Sequence, residues 1–97
     1  MIAVYAPQAL RDLAEIAEYL RERSPSGAAR AMTAIKSGID ALMAFPEMCP
    51  PLDGAGHRRL PVLRFPYVVF YRIAGDEILI LPIRHTSRRP IHLETDL

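Results

Sequence analysis

Cysteine occurs once in the 97 residues, at Cys49. A lone thiol closes no internal disulfide and has no CxxC companion for a metal, which excludes a disulfide scaffold and a zinc ribbon. No apolar run approaches the roughly 20 residues that a membrane-spanning helix needs. The opening Met1-Ile2-Ala3-Val4-Tyr5 lacks the basic start of a secretory signal. The expected location is therefore the cytoplasm, with no membrane partner. Gly54, Gly56 and Gly75 do not follow the spacing of a phosphate-binding loop, and no serine sits in a nucleophile elbow. Asp53, His57 and Asp76 show no ligand-like repeat, so neither a metal nor a cofactor is expected. Ordinary hydrolase and nucleotide-binding chemistry falls away.

What is present is a chain that should fold: 51% hydrophobic and 24% charged residues match an ordinary globular composition. At this length one domain over residues 1–97 is expected, with 90–97 as a flexible tail. A domain this small without covalent staples needs a well-filled core or a partner.

The formal net charge of +1 conceals an asymmetry. From Met1 to Gly56 five basic side chains stand against seven acidic ones. From His57 to Arg89 seven arginines (Arg58, Arg59, Arg64, Arg72, Arg84, Arg88, Arg89) stand against Asp76 and Glu77 alone. The only lysine, Lys36, lies outside this basic part. Guanidinium pairs bidentately with carboxylate and with phosphate, so the cluster suits an acidic protein segment, a nucleic-acid backbone, or merely a solvated face.

Ile2, Val4 and Tyr5 form a β-prone start, and Pro7 is placed to open a helix. Leu10, Leu13, Ala17 and Leu20 recur at helical spacing with Ile16 beside them, while Arg11, Asp12, Glu15, Glu18 and Glu22 fall largely elsewhere. Ser24 and Pro25 then offer an N-cap and a first helical residue. Ala28, Met32, Ile35, Ile39 and Leu42 repeat the stripe up to Phe45-Pro46, which predicts an antiparallel helical hairpin. Pro46, Pro50, Pro51, Gly54 and Gly56 mark a loop. Strands are predicted over 57–62, 67–73 and 77–85, the last two joined by a hairpin at Ala74-Gly75-Asp76. The apolar run Ile78–Ile83 suits a strand covered on both sides, and Pro61 and Pro82 each require an edge or a bulge. The expected fold is α+β, in the order β-α-α-β-β-β, with the helical hairpin packed on a small, mostly antiparallel sheet.

Several segments in their order carry a family likeness: Ala9-Leu10-Arg11-Asp12-Leu13, Ile16-Ala17-Glu18-Tyr19-Leu20, Phe45-Pro46, Arg58-Arg59-Leu60-Pro61-Val62, Val68-Val69-Phe70-Tyr71-Arg72 and Ile83-Arg84-His85-Thr86-Ser87-Arg88-Arg89-Pro90. Together they resemble the RelE/ParE toxin superfamily, small bacterial proteins encoded beside an antitoxin that binds and silences them. The ending His85-x-x-Arg88-x-Pro90 resembles the ParE-like branch, with Thr86-Ser87 in place of that branch's usual glycine pattern.

The resemblance implies one of two activities on the same fold. A ParE-like chain would inhibit growth by binding and poisoning DNA gyrase, with Arg84, His85, Arg88 and Arg89 as the target-binding set. A RelE-like chain would be a metal-independent, ribosome-dependent mRNA endonuclease, with Arg64, Arg72 and Arg84 on the phosphate and His85 as acid or base. RelE-like sites are typically built from lysines and arginines with a late tyrosine or histidine. Here Lys36 falls on the second helix and no tyrosine follows Tyr71, which favours the gyrase reading.

The resemblance also implies a cognate antitoxin, ParD-like or similar, in a hetero-oligomer. Ile16, Tyr19, Met43 and Met48 lie at or beyond the margins of the apolar stripes, where a partner helix would dock. Arg58, Arg59 and Arg72 would suit the antitoxin's acidic segment. Operator DNA would be met only through that complex.

Overall fold

The structure, a computed structural model, describes residues 1–86. Arg88, Arg89 and the tail expected over 90–97 lie outside the described residues. Strand β1 (Ile2–Tyr5) leads directly into helix α1 (Pro7–Arg23), with Pro7 in its first turn. Ser24 alone separates α1 from α2 (Pro25–Ala44). It ends the first helix by donating its backbone N–H to Leu20 O at 2.7 Å. It starts the second by accepting the Gly27 N–H on Oγ at 3.1 Å, so one extended residue caps two helices. After the 45–57 loop come β2 (Arg58–Pro61), β3 (Tyr67–Ala74) and β4 (Glu77–His85).

The strands form one sheet in the order β1-β4-β3-β2. β4 runs parallel to β1 and antiparallel to β3, and β3 runs antiparallel to β2. Gly75, at φ +62°, turns the two-residue hairpin between Ala74 and its partner Glu77. Both strand prolines sit where a missing N–H is tolerated. Pro61 is on the edge strand β2, and Leu81-Pro82 together oppose Phe70, between the pairs Tyr71↔Ile80 and Val69↔Ile83. That two-against-one arrangement is a β-bulge.

Ile35, Ile39 and Leu42 of α2 pack with Val69, Tyr71, Ile78, Ile80 and Ile83 of the sheet to form the core. Three expectations change. β4 is interior to the sheet, yet its burial alternates: Ile78 and Ile80 are buried on the core face while Leu79 and Leu81 are half-buried. On α1 the buried stripe passes through Ala9 and Asp12, with Leu13, Ile16 and Leu20 partly buried against the core. Leu10 is 55% exposed, and Asp12, expected on the polar side, is 4% exposed. Helix α1 is rotated so that Asp12 meets a backbone donor of β4, while Leu10 faces outward.

Candidate functional site

β1 accompanies β4 only as far as Tyr5, opposite Ile80, with one further bond from Ala6 N–H to Ile80 O at 2.9 Å. Beyond that point the chain turns into α1, and the last residues of β4 face the helix instead of a strand. A groove of about 370 Å³ opens there. Its α1 wall is Asp12, Glu15, Ile16 and Tyr19; its sheet wall is Tyr67 of β3 with Ile83, Arg84 and His85 of β4.

Asp12 is the one charged residue buried among the described residues. Its Oδ2 accepts the Ile83 backbone N–H at 2.9 Å, and its Oδ1 accepts Gln8 Nε2 at 2.8 Å. The Arg84 guanidinium lies 3.9 Å from Oδ1 and is about one-third exposed, so it has a carboxylate behind it and solvent before it. His85 stands directly across from Tyr67 in the β3–β4 ladder, their rings edge to face with centroids 5.5 Å apart. The segment is fastened beyond them by the Thr86 N–H bond to Pro66 O at 2.8 Å. On the outer wall Tyr19 is half exposed, with the Arg23 guanidinium 3.6 Å above its ring. The groove thus offers cation, imidazole and aromatic surface on an acidic footing.

The arginines that run together in sequence are dispersed in space. Arg58 pairs in register with core-facing Tyr71, and its guanidinium is bonded to the Cys49 carbonyl. Arg59, opposite Phe70, and Arg72, two residues on from Phe70, lie exposed on the sheet face away from the core. Arg64 sits in the loop before β3 at φ +69°. Arg84 is opposite Val68, so Arg72 is four residues along β3 from it, about 13 Å of strand. The structure therefore unites Arg84 and His85 and leaves Arg72 apart from them. Among the residues expected at a partner surface, Ile16 and Tyr19 line this groove. Met43 packs against the core, and Met48 belongs to a separate exposed patch with Phe45 at the end of α2.

Two further polar clusters hold loops. Tyr71 Oη donates to Pro46 O at 3.0 Å. Asp53 accepts the Ala55 and His57 backbone N–H groups at 3.0 and 3.1 Å, and its Oδ2 lies 2.8 Å from His57 Nδ1. The His57 hydrogen bond, foremost, holds the Asp53 carboxyl below its ordinary 3.8. Among the described residues no group of three or more His, Cys, Asp or Glu side chains is placed to hold a metal ion, and no helix is long and apolar enough to cross a membrane.

Residues 3–90 match the model of the ParE toxin of type II toxin–antitoxin systems, parDE. The chain belongs to the ParE toxin family. The toxin RelE2 of Caulobacter vibrioides is 36% identical to this ParE-family chain over 85 residues, covering 88% of the chain and 94% of the relative. The toxin RelE3 of the same organism is 32% identical over 91 residues, covering 86% and 91%. A solved chain of the chromosomal ParDE toxin–antitoxin system of P. aeruginosa superposes with a TM-score of 0.75 at 26% identity, covering 90% of this chain and 97% of that one. The RelE/ParE resemblance and the two-helix, four-strand ParE-like architecture both hold, with α1 supplying one wall of the groove and β4 the other.

Sequence reasoning missed Asp12, Glu15, Tyr67 and Ile83 of this groove, and Asp12 is the one of them that carries a buried charge. The available signal was its spacing: three residues after Ala9 and four before Ile16, it falls on the stripe that is buried.

Proposed function

We propose that this ParE-family toxin arrests growth by binding and poisoning DNA gyrase in the cytoplasm, and that a cognate antitoxin neutralises it by binding the same end of the molecule. The observation that carries the reading is that Arg84 and His85, both half-buried at the end of β4, line one groove, with Arg72 about 13 Å of strand away. A phosphoryl-cleaving site needs its cations and its acid or base around one phosphate. A binding site needs only a presented cation and a shaped, partly apolar surround, which the groove supplies. In the sequence Arg88 and Arg89 follow His85 after Thr86-Ser87 and add two cations to this segment.

Ile16 and Tyr19 share the groove with Arg84 and His85, so an antitoxin segment seated on α1 there would cover the target-binding groups. Arg59 and Arg72, exposed about Phe70, supply a second contact for its acidic residues. Operator DNA is then contacted through the antitoxin.

The test is inhibition of gyrase supercoiling by the purified full chain. Arg84→Gln is expected to weaken it about 10- to 100-fold, the worth of a charge-assisted contact of roughly 1.5–3 kcal/mol. Supercoiling untouched at high toxin concentration refutes the reading. The RelE names of the Caulobacter relatives favour one alternative, cleavage of mRNA at the ribosome. Primer extension on cellular mRNA after induction decides it, since codon-phased cuts belong to that activity alone.

A further inference from the structure

We infer that Asp12 is a positioning residue: it takes the place of the strand that β1 does not provide, and so fixes the Arg84–His85 end of β4 for its target. The inference rests on the binding role proposed above for Arg84. It starts from the geometry of the β4 edge. Past Ile80, β4 has no strand neighbour on its β1 side among the described residues, and it has just passed the Leu81-Pro82 bulge, where a strand can re-aim its side chains. The first backbone donor after that irregularity to meet α1 is the Ile83 N–H, and Asp12 Oδ2 accepts it at 2.9 Å across 71 residues of sequence.

A neutral acceptor would suffice for that bond. An anion at 4% exposure costs desolvation that an amide would avoid, and its return lies on its other oxygen. Oδ1 accepts Gln8 Nε2 at 2.8 Å and also faces the guanidinium of Arg84, the next residue along the strand, at 3.9 Å. One carboxylate therefore sets the strand backbone with one oxygen and the bearing of the cation with the other. The two tasks are separable by substitution.

Asp12→Asn keeps a side-chain oxygen for Ile83 and removes the charge facing Arg84; Asp12→Ala removes both. In the full-length chain, hydrogen exchange at the Ile83 amide is expected to stay within about threefold of wild type for Asp12→Asn and to rise at least about tenfold for Asp12→Ala, the loss of one buried bond. Growth arrest and gyrase inhibition are then measured for Asp12→Asn, Arg84→Gln and the double variant. Asp12→Asn alone is expected to weaken both readouts about tenfold, and to change the Arg84→Gln variant by less than about twofold, since it acts through that side chain.

Equal weakening in both backgrounds makes Asp12 merely structural and overturns the inference. So does wild-type potency in Asp12→Asn, or an Ile83 amide in Asp12→Ala that exchanges as slowly as wild type. Non-additivity in growth arrest, with gyrase unaffected by the wild-type chain, removes gyrase as target and leaves the positioning role standing. If the wild-type chain arrests no growth, the proposed function falls and takes with it the role of Asp12 in aiming Arg84 at a target, while the Ile83 exchange comparison still decides whether Asp12 holds the β4 backbone.

Discussion

Replacing Tyr71 with phenylalanine removes a single hydroxyl from the centre of the protein, and its consequence is calculable. Tyr71 is fully buried on β3, and its hydroxyl donates to the Pro46 carbonyl at 3.0 Å. Arg58, opposite it on β2, bonds the Cys49 carbonyl, so two adjacent strands hold the turn that follows α2. Without the hydroxyl, the Pro46 carbonyl loses this donor, at a cost of about 1–2 kcal/mol at pH 7. For a domain of this size that is a fall in Tm of about 5–15 °C. Burial, foremost, and then the Cys49 side chain beside the hydroxyl push Tyr71 from 10.0 up to about 12. The native state thus holds the phenolic proton more tightly than the unfolded chain does. Its contribution is complete below pH 10 and is lost as pH rises from 10 through 12. Urea denaturation of wild type and Tyr71→Phe at pH 7, 9.5 and 11 checks this. The midpoints should differ equally at the first two values and converge at the third. Equal midpoints at pH 7, or a constant gap through pH 11, would refute the assignment.

Two local substitutions test how the elements are joined. Gly75→Ala meets no atom within 4 Å but must hold φ near +62°, so it is expected to cost about 1–2 kcal/mol by thermal denaturation, from backbone strain alone. Ser24→Ala deletes the hydroxyl that caps α2 while leaving the backbone bond that ends α1; a loss of about 1 kcal/mol in chemical denaturation is expected, and no loss would show that the cap is idle.

Much of the architecture was legible because punctuation and periodicity are local. Pro7 and Ser24-Pro25 marked helix starts, Gly75 marked a hairpin, and the β4 limits, Glu77 and His85, are those predicted for the last strand. Pro61 and Pro82 each required an edge or a bulge, and Pro61 lies on the edge strand while Pro82 lies in a bulge. Strand order was not legible, since it depends on which edges meet after the crossover from β1. The face of α1 was misjudged at Leu10 and Asp12 because leucines weigh more than aspartate in any hydrophobic stripe. A carboxylate satisfied by a distant backbone donor inverts that weighting.

The basic segment shows why a cluster in sequence is a weak guide to a site. Successive strand residues point to opposite faces, so neighbouring Arg58 and Arg59 part company at once, one bonded to the Cys49 carbonyl and the other on the exposed sheet face. Arg64 goes to a loop, and Arg72 and Arg84 separate along the β3–β4 ladder. Composition alone assigns all of them to one anionic partner. Among the described arginines, Arg84 is the one that lines a groove with a histidine, two tyrosines and a buried carboxylate. That groove exists because β1 is four residues long and stops at Tyr5, level with Ile80, leaving the end of β4 to be met by a helix. A longer first strand would have paired Ile83 and closed the place where Arg84 and His85 are presented. The brevity of β1 and the burial of Asp12, both set within the first twelve residues, are therefore one structural decision, which takes effect on Ile83 and Arg84 near the other end of the described chain.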